Sequence, residues 1–207
     1  MDYFQVLVIG GGTIGWILWA MSFVMVALAI HNYMIVRRIN ILPDTVRDQL
    51  NELFTAKQYR EAIDLTAENG DFLSYIVNSS LKDAPYGFAA MERAMEEAAE
   101  ERTTKMLRGL EWLNLMGQVG PMLGLLGTVW GMILAFFQIV EAGTPNPAQL
   151  AQAIGIALVT TLLGLTLSIP AMSIYSIMRT RIDAMTSESF KVAQEMIAGF
   201  RPKAKRQ

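Results

Sequence analysis

The chain has 207 residues, 53% of them hydrophobic and 17% charged, with a mean hydropathy of +0.33. Charge is scarcer and apolar content higher than in an ordinary soluble domain, which points to a polytopic membrane protein with a modest soluble part. The net charge of −2 argues against a nucleic-acid binder, and the absence of cysteine excludes disulfides and thiolate metal sites.

The opening residues, MDYFQVLV, lack the basic stretch of a cleaved signal peptide, so the first apolar run is expected to be retained as a span. Residues 1–13 form a short outer N-terminus without Lys or Arg. The first span is placed at 14–36, with Trp16 and Trp19 near one end and Tyr33 near the other, at the levels where aromatic belts sit. Arg37 and Arg38 stop it. His31, the only histidine, sits about a turn and a half before that stop, where an interfacial polar residue fits better than a proton carrier.

Residues 37–111 are soluble in character. Pro43-Asp44 opens a helix through VRDQLNELFTA, and YREAIDLTAE forms a second, closed at Asn69-Gly70 by a left-handed stop. A third, FLSYIVNSSL, reaches Leu81 before Pro85 breaks the chain. From Ala89 to Ile139 nothing interrupts a helical pattern, giving a rod of roughly 75 Å, more than twice a bilayer core. The second span, 112–140, is therefore expected to continue well into the soluble compartment. EEAAEERTTK, on that rod, reads as a solvated face and not as a metal site. A turn over 141–152 contains AGTPNPAQ, a third span covers 153–178, and residues 179–207 form an amphipathic helix with a frayed basic end, RPKAKRQ. The predicted fold is all-α: three transmembrane helices, the second and third extended into a cytoplasmic helical bundle.

Topology follows from charge. The N-terminal tail and the 141–152 turn hold no Lys or Arg, whereas 37–111 holds ten and the chain from Arg179 onward holds seven. The positive-inside rule then puts the N-terminus outside and both basic segments in the cytoplasm of a multi-pass inner-membrane protein.

The second span is organised around GQVGPMLGLLGTVWGMILAFFQ, Gly117 to Gln138, which carries no charge. At about 100° per residue, Gly117, Gly120, Gly124, Gly127, Thr128, Gly131, Ala135 and Gln138 fall within roughly a 100° arc. Gly120/Gly124 and Gly127/Gly131 have the spacing that lets membrane helices approach closely. In the third span Ala157, Thr161, Gly164, Ser168 and Ala171 share an arc of about 80°, with Thr160 beside it. For the glycines, Gly120, Gly124, Gly127, Gly131 and Gly164, close packing is the favoured role. For Thr128, Thr161 and Thr160 an ion pathway competes with hydroxyls that merely bond their own helix. Pro121 and Pro170 each remove a helical hydrogen bond and are expected to kink their spans.

No nucleophile with its base, metal cluster or phosphate loop is present, so no enzymatic activity, cofactor or metal is expected. Proton movement across a membrane needs an ionisable group within it, and none of the three spans holds a carboxylate or an amine. A titrating group would have to come from a partner helix, for which the Gly/Ala/Thr face offers a wall.

GPMLGLLGTVWGMILAF followed by AIGIALVTTLLGLTLSIPA resembles the two signature spans of the MotA/TolQ/ExbB proton-channel family, closest to its ExbB/TolQ branch. The likeness covers all three spans and the VRRINILPD exit from the first. The resemblance implies a homo-oligomer, a five-fold ring around the single spans of an ExbD/TolR-like partner whose intramembrane Asp takes up and releases protons. It implies pore-facing threonines at Thr128 and Thr161, and energy passed towards the outer membrane through a TonB/TolA-like protein. Two positions depart from the family's pattern: Ile156 stands where many members carry a Glu, five residues before the third-span Thr, and His31 stands where a Glu is frequent. Proton and sodium coupling both stay open. A flagellar stator of the MotA type fits less well, because those chains have four spans. A non-conducting scaffold is the competing reading, and a self-contained transporter ranks below both, having no carboxylate or amine in its spans to build a substrate site.

Overall fold

The structure, a computed structural model, describes residues 11–142 and 147–201. The expectations for most of the N-terminal tail, for the centre of the 141–152 turn and for the basic end lie outside the described residues. Every regular element among the described residues is helical. Helix α1 is Gly12–Ile35, α2 Arg38–Ile41, α3 Asp44–Thr55, α4 Tyr59–Glu68, α5 Phe72–Lys82, α6 Phe88–Ala142 and α7 Pro147–Ile197, with single 3-10 turns at Ala84–Tyr86 and Ala198–Phe200. Three of these, α1, α6 and α7, are long and apolar enough to cross a membrane.

Helix boundaries follow local chemistry. Pro43 precedes α3, and α3 closes with a Schellman arrangement: Gln58 N–H donates to Leu53 O at 2.9 Å and Lys57 N–H to Phe54 O at 3.2 Å, with Lys57 at φ 60°. The left-handed stop expected at Asn69-Gly70 is not formed. Asn69 is extended at φ −90° and ψ 134°, and its side-chain Nδ2 donates to Leu65 O at 2.8 Å. The backbone N–H of Asn69 also donates to Leu65 O, at 3.3 Å, so the extended residue closes the helix with both of its amide groups on one carbonyl. Asp71 caps α5, accepting from Ser74 N–H at 2.9 Å and Ser74 Oγ–H at 2.7 Å. Helix α7 starts at Pro147, ahead of the span boundary at 153; proline suits the first helical position because its missing N–H has no partner there.

The chain forms two compact units, and α6 and α7 each contribute to both. One unit takes residues 32–109 and 178–207. Its core is Ile41, Leu42, Leu50, Leu73, Ile76, Met91, Met95 and Ile182, all fully buried. Burying such side chains stabilises by about 1.5–3 kcal/mol each before entropy is counted. A buried polar pair, Asn78 Nδ2 donating to Thr66 Oγ1 at 2.9 Å, joins α4 to α5, and Arg38 makes two hydrogen bonds, 3.0 and 3.3 Å, to the Glu188 carboxylate on α7. The other unit takes residues up to 31 and 110–177. In it the side chains of Leu18, Leu110, Leu113, Leu167 and Ala171 are buried, while Met122, Leu125, Trp130, Phe136, Leu158 and Ile169 face outward.

Candidate functional site

Within the membrane-type unit, α6 and α7 run antiparallel with their small faces in contact. A Cβ built on Gly117 would meet Met172, one on Gly120 the Ser168 hydroxyl, one on Gly124 the Thr160 carbonyl oxygen at 2.9 Å and Thr161 Cα at 3.0 Å, one on Gly127 the Thr160 side chain, and one on Gly131 the Ala157 Cβ at 2.9 Å. From Gly117 to Gly131 along α6 the partner retreats from Met172 to Ala157 along α7, as an antiparallel pair requires. Lipid tails are as apolar as leucine, so this seam rests on close packing and hydrogen bonds and not on exclusion of water. The Gly/Ala/Thr face, expected to wall in a partner's helix, is filled by the chain's own third span.

Thr160 is 3% exposed. Its Oγ1 lies 2.7 Å from Ala157 O on its own helix and 3.0 Å from Gly124 O across the seam, so one proton is shared between two carbonyls. Thr161 is half-buried and donates to the same Gly124 oxygen at 3.2 Å. That oxygen is already the helical acceptor for Thr128 N–H, and Thr128, also half-buried, donates its own hydroxyl to Leu125 O at 2.7 Å. Polar groups from both helices thus converge on the turn of α6 between Gly124 and Thr128.

The first span closes one edge of the seam. A Cβ on Gly11 would lie 3.5 Å from Thr160 Cγ2, and one on Gly15 would lie 4.0 Å from Leu163 Cδ1. Thr128 follows Gly127, and Thr161 follows Thr160, the residue Gly127 receives. A step of about 100° in an antiparallel pair turns both successors to the same edge, the one away from α1. That edge is open. Its outer flanks are apolar and exposed: Leu125 and Met132 on α6, Ile154, Leu158, Leu165 and Met172 on α7. The Thr128 and Thr161 protons go to backbone carbonyls, so lone pairs on both oxygens remain able to accept. By turning, each hydroxyl can instead donate. The open edge can therefore hydrogen-bond either protonation state of a carboxyl brought to it.

Of the remaining sequence candidates, Pro121 and Pro170 lie inside continuous helices, removing the usual donors to Gly117 O and Thr166 O. Ile156 is half-buried, and His31 is exposed. The side chain of Gln138 lies outside what is described. Two features were missed. Gly11 and Gly15 seat α1 against α7, and their four-residue spacing was a legible signal. A polar ladder also climbs the start of the span: Asn114 Nδ2 donates to Glu111 at 3.4 Å, and Gln118 Nε2 donates to Asn114 Oδ1 at 3.0 Å. Asn114 lies within about 40° of the Thr128 direction on α6. Its signal was a carboxylate and two amides at intervals of three and four residues.

The model of the MotA/TolQ/ExbB proton channel family matches residues 66–189, which include the whole α6–α7 seam. A Methanothermobacter thermautotrophicus protein named as a biopolymer transport protein ExbB homolog is 37% identical over 126 residues, 59% of this chain and 44% of that protein. The biopolymer transport protein ExbB of Salmonella typhimurium is 37% identical over 92 residues, 44% of this chain and 38% of that one. The Tol-Pal system protein TolQ of Pseudomonas aeruginosa is 31% identical over 106 residues, 51% of this chain and 46% of its own length. Each match thus spans less than half of the relative.

Proposed function

The chain belongs to the MotA/TolQ/ExbB proton channel family, and from that premise we propose that it is the wall-forming subunit of an ion-motive-force-driven complex of the ExbB/TolQ kind. The family is a class of multi-pass membrane channels, not of enzymes. In this reading several copies ring the single span of an ExbD/TolR-like partner in a bacterial inner membrane. The N-terminus is periplasmic, and the unit built from 32–109 and 178–207 is cytoplasmic. A carboxyl on the partner's span carries the proton, because 112–140 and 142–178 contain no Asp, Glu, Lys or Arg. Thr128 and Thr161 present it with acceptors when protonated and donors when ionised. Movement of the partner's span transmits the work towards a TonB/TolA-like protein.

The observation that carries this reading is the asymmetry of the seam: one edge sealed by α1, the other open with two half-buried hydroxyls in otherwise charge-free helices. Burial of Thr160 separates it from that edge and supports a packing role for it. Native mass spectrometry of the tagged protein from its own membranes tests the proposal. A ring of this chain holding a single-span protein with an intramembrane Asp is expected. A ring or monomer without such a partner leaves no titrating group in the bilayer and puts a non-conducting scaffold in its place.

A further inference from the structure

The unit built from 32–109 and 178–207 contains a cavity of about 330 Å³ walled by the end of α1, the Asn40 turn, the α4–α5 junction and the middle of α6. Sequence fixes its depth in the membrane. Asn32 and Ile35 stand at the last residues of the first apolar run, and Gly109 stands three residues before the charge-free stretch that begins at 112. The cavity therefore opens at the boundary between hydrocarbon and water, at headgroup level.

Its lining is amphipathic in the sense such a boundary requires. Phe72, Met106 and Ile35 supply an apolar side; Arg102 and Lys105, one turn apart on α6, supply two cations. Among the described residues neither cation is in an ion pair. Arg102 stacks over the Tyr75 ring with its guanidinium carbon 4.2 Å from the centroid, which leaves its edge N–H donors unused. Two carboxylates on the adjoining segments are engaged elsewhere: Asp71 accepts from Ser74, and Glu101 accepts from the Tyr75 hydroxyl at 3.0 Å. Asn40 is also fixed, its Nδ2 donating to Met34 O and Ile35 O, which braces the exit of α1 as one wall. The opposite wall is held close, since a Cβ on Gly109 would stand 3.1 Å from Asn32 Oδ1.

We propose that this cavity binds the phosphate of an anionic phospholipid, with Arg102 and Lys105 on the phosphate oxygens and the acyl chains leaving along the apolar side. A fork of guanidinium donors and a neighbouring ammonium match a phosphodiester, and placement at the boundary favours a lipid over a free ester. A lipid seated there ties the α1 exit to α6. The inference needs only that the chain is a membrane protein, and it stands whether or not the ring conducts.

The full-length protein in a neutral detergent is titrated with short-chain phosphatidylglycerol, and binding is read by native mass spectrometry. Saturation at one lipid per chain is expected, weakened on the order of 30-fold when Arg102→Gln and Lys105→Gln are combined. Arg93→Gln, on the same helix but outside the cavity, should bind as the wild type does. Gly70→Leu keeps both cations and adds bulk at a lining position with room for it, since a Cβ there has nothing within 4 Å; it too should weaken binding, which separates a seat from loose attraction to positive charge. Unchanged affinity in the double variant or in Gly70→Leu overturns the site. Equal affinity for glycerol 3-phosphate and the short-chain lipid overturns the assignment to lipid and makes the ligand a soluble phosphate ester.

Discussion

Gly164→Ala puts a methyl group where the α6–α7 seam brings backbone against backbone. Its Cβ would stand 2.5 Å from Gly120 O and 3.2 Å from Gly124 Cα, both backbone atoms that no rotamer change can move. A carbon–oxygen contact relaxes at about 3.3 Å, so the helices must part by roughly 0.8 Å. Overpacking of this kind costs about 1–3 kcal/mol. The same parting stretches the Thr161 bond to Gly124 O, now 3.2 Å, beyond useful range, a further loss of about 0.6 kcal/mol in a membrane protein. Thr160 keeps its proton on Ala157 O and loses little. The expected destabilisation is thus about 1.5–3.5 kcal/mol. Gly155→Ala, in the same helix with nothing within 4 Å of its Cβ, should be neutral or stabilising by up to about 1 kcal/mol through helix propensity. Reversible unfolding of the full-length protein in mixed micelles, driven by SDS and followed by tryptophan fluorescence, measures both. Equal midpoints for the two variants would refute the seam.

Asp71→Ala removes the cap of α5 and strands the Ser74 hydroxyl it holds; a loss of about 1–2 kcal/mol is expected in thermal unfolding, and Asp71→Asn should recover part of it. Lys57→Gly relieves a left-handed position at φ 60° and should stabilise by about 0.5–1 kcal/mol, read as a raised Tm. The hydrogen bond from Tyr75 to Glu101, with burial and the Glu101 charge adding to it, raises the phenol above its ordinary pKa near 10. A raised folded value means that the bond's contribution is complete below pH 10 and is lost as pH climbs through the raised value. Glu101→Gln should accordingly bring Tyr75 phenolate absorbance in at lower pH, and an unmoved titration would remove that bond from the account.

What could be read from the chain before folding it was set by the range of each interaction. The three spans, the helix YREAIDLTAE at Tyr59–Glu68 and the long continuous α6 follow from local apolar periodicity and breakers, which act over a few residues. The glycine stripes announced close packing for the same reason. Their partner was not legible, because a face of Gly, Ala and Thr fits a neighbour within the chain as well as one outside it. Thr160 and Thr161 illustrate the limit: they are adjacent in sequence and alike in chemistry, and only the register of α6 on α7 buries one and leaves the other on the open edge. The stop at Asn69 failed for a different reason, since a side-chain amide replaced the backbone solution that Asn-Gly usually signals. Helix α2, four residues long, is too short to leave a period.

The central claim is that Thr128 and Thr161 face the moving proton and Thr160 does not. The measurement that tests it most directly is proton flux through the complex of this chain with its partner, reconstituted in liposomes and driven by a pH step. Thr128→Val and Thr161→Val each remove a hydrogen bond to a group that is charged for part of the cycle, worth about 1.5–3 kcal/mol, so flux should fall roughly tenfold to hundredfold with the ring intact by native mass spectrometry. Thr160→Val, nearly the same in shape and buried at 3% exposure, should leave flux within about twofold. Equal losses at all three positions, or none at Thr128 and Thr161, would contradict the account.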